Sequence, residues 1–246
     1  MTTILLIALN VAAFIAMKAS GLVDASWPDS CVALAGVAGG APGEVLTHPW
    51  SVVSYMFIHI NGLHLLVNML WLLAFGSMLE KSSGRRALLA SYAAGGVAGA
   101  AVFAVAAPGG GYLIGSSAAV LAVAFTALCS GAPSHIEMPA RMRRWLTPAA
   151  WVAAALLLLS QTDAISAHLA GMAAGVAIGA ACGARHRRNE QEARLQAMNL
   201  RHRDSLLRKA NSLGFTSLSA SERQTLFEIS SDRQADGATT PLPRQQ

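Results

Sequence analysis

Six nearly uncharged apolar runs dominate the first three quarters of the chain, at about 4–22, 64–80, 86–107, 115–131, 146–161 and 165–184. A helix needs ~20 apolar residues to cross the hydrocarbon core of a bilayer. Inside that core every backbone polar group must be satisfied within the segment, which favours helices. Repeated runs of this length leave little sequence from which to build a water-soluble core. The charge divides the chain in the same place. Residues 1–184 carry 7 Lys/Arg and 6 Asp/Glu, whereas residues 185–246 carry 11 and 7. The whole chain is 13% charged, against roughly 25% for an average soluble domain. The reading is an all-α membrane protein, with a six-span body over 1–184 and a basic aqueous tail over 185–246.

The net charge of +5 does not point to a nucleic-acid partner. The basic residues fall in short clusters between apolar runs and in the tail, not in one stripe interleaved with aromatics. Cys31, Cys129 and Cys182 are odd in number and widely spaced, matching neither a disulfide framework nor a zinc site. The first apolar run has no basic segment before it and many more runs after it, so it reads as a retained helix rather than a cleaved signal. Basic clusters at Lys81/Arg85/Arg86, Arg141/Arg143/Arg144 and Arg185/Arg187/Arg188 follow the second, fourth and sixth runs. All three fall on one side of a six-span protein, and the positive-inside rule makes that side cytoplasmic, with both termini there. The segment 23–63 is too polar to span, and its stretch "WSVVSYMFIHI" predicts short interfacial helices.

Two further patterns concern packing. Gly171, Gly175, Gly179 and Gly183 recur every fourth residue on one face of the sixth run, which lets a neighbouring backbone come close. Ala118, Ala119 and Ala122 of the fourth run offer a surface for that approach. In the tail, Leu206, Leu207 and Leu213 predict an amphipathic helix that stops at Gly214. Ser219 to Glu222 has a capping-box pattern opening a second helix with Leu226, Phe227 and Ile229. Together these predict a helical hairpin over about 190–231, followed by a disordered end.

Polar side chains inside apolar runs are costly and by default point to function. His64 and Asn68 lie four residues apart on one face of the second run, Ser116 and Ser117 open the fourth, and His168 precedes Gly171 on the glycine face of the sixth. Each has a plainer explanation alone. A membrane serine usually bonds the carbonyl a turn back, and a histidine near a helix end is commonly interfacial. His64 with Asn68 could be interhelical glue, and His48 and His59 read as structural loop residues. All three sets, however, lie near the outer ends of their helices by the six-span count. Acyl transfer would use all of them. Ser117 would be the nucleophile and His168 its base. Gly115 would let the backbone turn closely, and His64 and Asn68 would complete an oxyanion hole with the start of the fourth helix. Asp163, five residues before His168, is on roughly the opposite helix face, so the pattern is a dyad.

At this point "HLLVN" (His64 to Asn68), "GSS" (Gly115 to Ser117) and "AHLAGMAAG" (Ala167 to Gly175) resemble the rhomboid family of intramembrane serine proteases. The elements occur in the family's order, on its second, fourth and sixth core helices, over about residues 1–184. The resemblance implies a six-transmembrane-helix rhomboid-like bundle with a short helical cytoplasmic tail. It implies Ser117 as nucleophile and His168 as base, with His64, Asn68 and the Ser117 backbone N–H around the oxyanion. Gly115, Gly171 and Gly175 would be structural residues near the site. It implies no metal or cofactor. Its expected partners are the lipid bilayer and transmembrane proteins, cut near the outer face after entering between helices two and five. The expected location is a bacterial inner membrane, multi-pass, with no nucleic acid involved and the oligomeric state open. Two positions depart from the family. Ala118 stands where glycine often follows the nucleophile, adding a methyl beside the site, and Trp50-Ser51 stands where many members have Trp-Arg. An inactive relative that binds transmembrane helices would normally have lost the serine or the histidine. A small transporter would show inverted repeats and a midplane charge, and neither is present.

Overall fold

The computed structural model describes residues 1–20, 36–107, 111–131 and 164–227. The fifth apolar run, Arg141, Arg143, Arg144, Asp163, Cys31, Ile229 and the C-terminal end lie outside the described residues. The described chain is mostly helical and divides into two units, Met1–His186 and Arg187–Gln246.

In the first unit, α1 (Thr2–Ala19) turns Ile4, Leu5, Leu9 and Ile15 outward and buries Thr3, Leu6 and Asn10. Large apolar side chains outside and polar ones inside reverse the usual soluble arrangement, as expected where lipid is the solvent. The long first loop carries a two-residue strand β1 (Val37–Ala38), α2 (Pro42–Thr47), α3 (Ser51–Ser54) and one 3-10 turn, Tyr55–Phe57. These are the short helices that the amphipathic pattern predicts. Next, α4 (Gly62–Trp71) begins at Asn61, whose side chain accepts from the His64 N–H at 2.8 Å, a normal N-cap. A wider turn over Leu72–Gly76 joins it to α5 (Ser77–Ala106), which is broken at Gly84. The Gly84 backbone has φ 85° and ψ 169°, a conformation in which glycine replaces other residues for lack of a Cβ. The break separates the second apolar run from the third.

The strand β2 (Tyr112–Leu113) pairs antiparallel with β1, Val37 opposite Leu113 and Ala38 opposite Tyr112. An all-α reading misses this pair. Two residues a side carry too little alternation to show in a sequence, and the helices α2 to α5 lie between the paired strands. Then come α6 (Ser117–Cys129) and α7 (Ile165–Leu213). Among the described residues, three helices are long and apolar enough to cross a membrane, Thr2–Ala19, Gly62–Ala106 and Ile165–Leu213, and Ser117–Cys129 is a shorter apolar helix.

Small residues set the packing of the first unit. A Cβ at Gly95 would meet the Ala122 methyl, and one at Gly99 would sit 2.7 Å from that of Ala118. Position rises along α5 as it falls along α6, so the two run antiparallel. Gly171, Gly175 and Gly179 meet Ala118, Ala122 and Thr126 in turn, so α6 and α7 run parallel. The helix α1 is held differently. Glu80 accepts from the Thr2 and Thr3 N–H groups at 2.7 and 2.9 Å and from Thr3 Oγ1 at 2.8 Å. Deeper in, Asn10 Nδ2 donates to Tyr92 Oη at 3.2 Å.

The helix α7 continues past 184 without the interruption expected before a separate tail helix. Residues 185–200 contain neither glycine nor proline and are rich in Arg, Glu, Gln and Ala, all strong helix formers. In the second unit the helix ends at Leu213. Gly214 follows with φ 87°, then a 3-10 turn, Phe215–Ser217, and helical residues 220–227. Leu206 and Leu218 are buried there. Lys209 Nζ donates to Glu222 at 2.8 Å. Both bonds of the capping box form, Ser219 N–H to Glu222 Oε2 at 2.7 Å and Glu222 N–H to Ser219 Oγ at 3.2 Å. The Lys209 ammonium, and then the Ser219 N–H, hold the Glu222 carboxyl below the usual carboxylate range.

Candidate active site

The turn before α6 is fixed from several sides. Gly115 has φ +103°, and a Cβ there would lie 2.6 Å from His64 Cε1, so both the conformation and the space require glycine. Its N–H donates to the Tyr55 carbonyl at 2.9 Å, and Tyr55 Oη donates to the Gly96 carbonyl at 2.8 Å. The β1–β2 pair, extended by Gly39 N–H to the Gly111 carbonyl at 2.8 Å, ties the first loop to the strand that leads into the turn.

At the end of that turn Ser117 Oγ lies 2.7 Å from His168 Nε2. Both side chains are buried. With its proton on Nδ1, the imidazole accepts from the hydroxyl, the arrangement a general base requires. His168 Nδ1 has no hydrogen-bond partner among the described residues. The contact depends on how closely α6 and α7 approach. A Cβ at Gly171 would collide with the Ala118 carbonyl oxygen, one at Gly175 with that of Ala122, and one at Gly179 would lie 2.7 Å from Cys129 Cβ. Thr126 Oγ1 adds a bond to the Gly175 carbonyl at 3.1 Å. The Ala118 methyl, expected beside the nucleophile, faces Gly99 of α5 instead, so the missing Cβ there accommodates it.

His64 and Asn68 differ in their engagements. His64 Nε2 is buried without a partner among the described residues, and its ring lies over Gly115. Asn68 Nδ2 donates to the His64 carbonyl of its own helix at 2.9 Å, which leaves one amide N–H to spare. His48 stacks edge-on with Trp50, ring centroids 5.2 Å apart. Among the described residues no group of three or more His, Cys, Asp or Glu side chains converges as a metal site.

His59 is the residue whose placement sequence reasoning missed. It is fully buried, its Nε2 is 3.2 Å from Ser116 Oγ, and its ring meets that of His64 edge to face with centroids 5.2 Å apart. The only available signal was the spacing of His59 and His64 on either side of an N-cap. A five-residue gap across a non-helical segment does not reveal a shared face.

Residues 46–185 match the family model for the Rhomboid domain. No curated protein matches the chain closely enough to serve as a relative. The matched span takes in α4 to the membrane part of α7 and so contains His64, Asn68, Ser117 and His168. More than half of the sequence is covered, the apolar helices are those of a membrane protein, and the chain belongs to the rhomboid family.

Proposed function

We propose that the chain is an intramembrane serine protease in which Ser117 and His168 form the catalytic dyad. The observation that carries the reading is the 2.7 Å approach of Ser117 Oγ to His168 Nε2. Ser117 Oγ attacks the carbonyl carbon of the scissile peptide while its proton passes to His168 Nε2. The oxyanion so formed is met by N–H groups at the start of α6, by His64 with its proton on Nε2, and by the spare Asn68 amide hydrogen. Collapse breaks the C–N bond, and His168 returns the proton to the leaving amine. Water, deprotonated by the same imidazole, then releases the acyl group.

The body is read as six spans in a cell membrane, both termini cytoplasmic, with the basic clusters on that side. The substrates are transmembrane proteins, cut near the outer face. The chain carries both members of the dyad, which argues against an inactive helix-binding relative. Labelling with a fluorophosphonate or isocoumarin tests this. The full-length protein in detergent should label on wild type and lose all labelling in Ser117→Ala and His168→Ala. No labelling of folded wild type, together with no cleavage of a model membrane substrate, would favour the binding protein.

A further inference from the structure

Gly99 of α5 lacks a side chain at the point where α5, α6, α7 and the first loop meet. A Cβ there would lie 2.7 Å from the Ala118 methyl, 3.2 Å from Tyr55 Oη and 3.3 Å from the Ala167 carbonyl oxygen. Ala118 follows Ser117 in the chain and Ala167 precedes His168, and both alanines are buried. One absent side chain thus faces the direct neighbours of both Ser117 and His168. The contact has little freedom to yield. Ala118 is held on a second side by Gly171, where α6 and α7 leave no room for a Cβ. Tyr55 Oη is engaged with the Gly96 carbonyl at 2.8 Å. Interiors packed this closely respond to the gain or loss of a single methyl.

We propose that Gly99 is a positioning residue: it and Ala118 share a space that takes one methyl, and the filling of that space sets how Ser117 Oγ meets His168 Nε2. The inference rests on the protease reading and names a residue that serves the same site from outside it. A second methyl, at Gly99, would have to part from that of Ala118, from 2.7 Å to the 3.4 Å or more of ordinary contact. The displacement falls on α6 at Ala118 or on α7 at Ala167, and either moves one member of the Ser117–His168 pair against the other. Removing the methyl at Ala118 leaves a void between two facing glycines, and the helices lose a contact that fixes their separation. Gly99 touches no reacting atom and works through Ala118 and Ala167.

Each single substitution should therefore slow the reaction, and the two together should cancel. In Gly99→Ala, kcat on a model transmembrane substrate should fall by ~10- to 100-fold, because a ~1 Å misplacement of reacting groups can cost ~10²-fold. In Ala118→Gly it should fall less, by ~3- to 10-fold, as expected of a shift well below that size. KM should stay near wild type in both. The double variant G99A/A118G moves the methyl from α6 to α5 and should recover most of the lost kcat, with the Tyr55 side chain giving way slightly. A role confined to structure lowers the unfolding midpoint in detergent but leaves kcat of the folded protein at the wild-type value. That result for either single variant overturns the proposal, as does a double variant no faster than Gly99→Ala. If Gly99→Ala does not fold, Ala118→Gly is compared with the double variant. The proposal then expects a lowered kcat that the second substitution restores. Wild-type kcat in Ala118→Gly, or a double variant that is no faster or does not fold, overturns it. Fluorophosphonate labelling of wild type is measured first. Its absence from folded protein defeats the protease reading, whereas a labelled wild type with variants that do not compensate defeats this inference alone.

Discussion

Two helices of the first unit are attached in opposite ways. The helix α7 meets α6 backbone to backbone, through glycines with no room for a methyl. The helix α1 meets the rest through side-chain hydrogen bonds, at Glu80 and at Tyr92, while its large apolar residues face outward. In lipid, apolar burial does little to bring helices together, so close small-residue packing and polar bonds are the two remaining means. The first fixes distance to within a fraction of an ångström and suits the helices that bring Ser117 and His168 together. The second tolerates adjustment and suits a helix that only has to stay in place.

If this contrast holds, the largest effect comes from the glycine crossing. Gly171→Ala should lower the labelling rate by ~10²-fold or more, since a ~1 Å misplacement of reacting groups can cost that much. Gly43→Ala, where nothing lies within 4 Å of the added carbon, serves as the control. Wild-type labelling by Gly171→Ala would break the comparison. Next comes Glu80→Gln, which weakens charge-assisted bonds at a largely buried carboxylate, 18% exposed. An unfolding titration should show a loss of ~1.5–3 kcal/mol, with kcat of the folded fraction unchanged. A smaller loss, ~0.6 kcal/mol by analogy with other membrane hydrogen bonds, is expected for Asn10→Leu, again without effect on kcat. A fall in kcat for either α1 variant would show that α1 helps to set the dyad. The smallest effect lies in the second unit. Because the folded Glu222 carboxyl titrates below its unfolded value, its stabilising contribution is complete above the ordinary carboxylate range and fades as pH falls through the depressed value. Circular dichroism should show the wild-type tail loosening at acid pH more than Glu222→Gln, which lacks the titration.

The glycine crossing and the nearness of Ser117 and His168 were legible because each leaves a local mark in the sequence. Gly171, Gly175 and Gly179 repeat every fourth residue, and Ser117 and His168 stand out as polar groups in apolar surroundings. The capping box at Ser219 and the stop at Gly214 were legible for the same reason. Glu80 was not, because a carboxylate beside Lys81 looks like part of a basic loop until its partners 77 and 78 residues away are seen. The pairing of His59 with Ser116 was hidden likewise. Ser116 looked like half of a Ser-Ser step, and only the fold shows that its neighbour is an imidazole from the first loop. The β1–β2 pair and the unbroken course of α7 past 184 were missed because neither has a periodic signature.

The wide turn at Leu72–Gly76 has a consequence for how this helix can change. An extra residue held inside a helical turn advances everything after it by about 100° around the axis. Asn68 lies before that phase step and Glu80 after it, so one continuous rod serves two neighbours in different directions. Deleting a single residue from the step would rotate the Glu80 carboxylate off α1 while leaving His64 and Asn68 in place. Substitutions on either side are local in effect, but a change of length here would swing one half of the rod against the other.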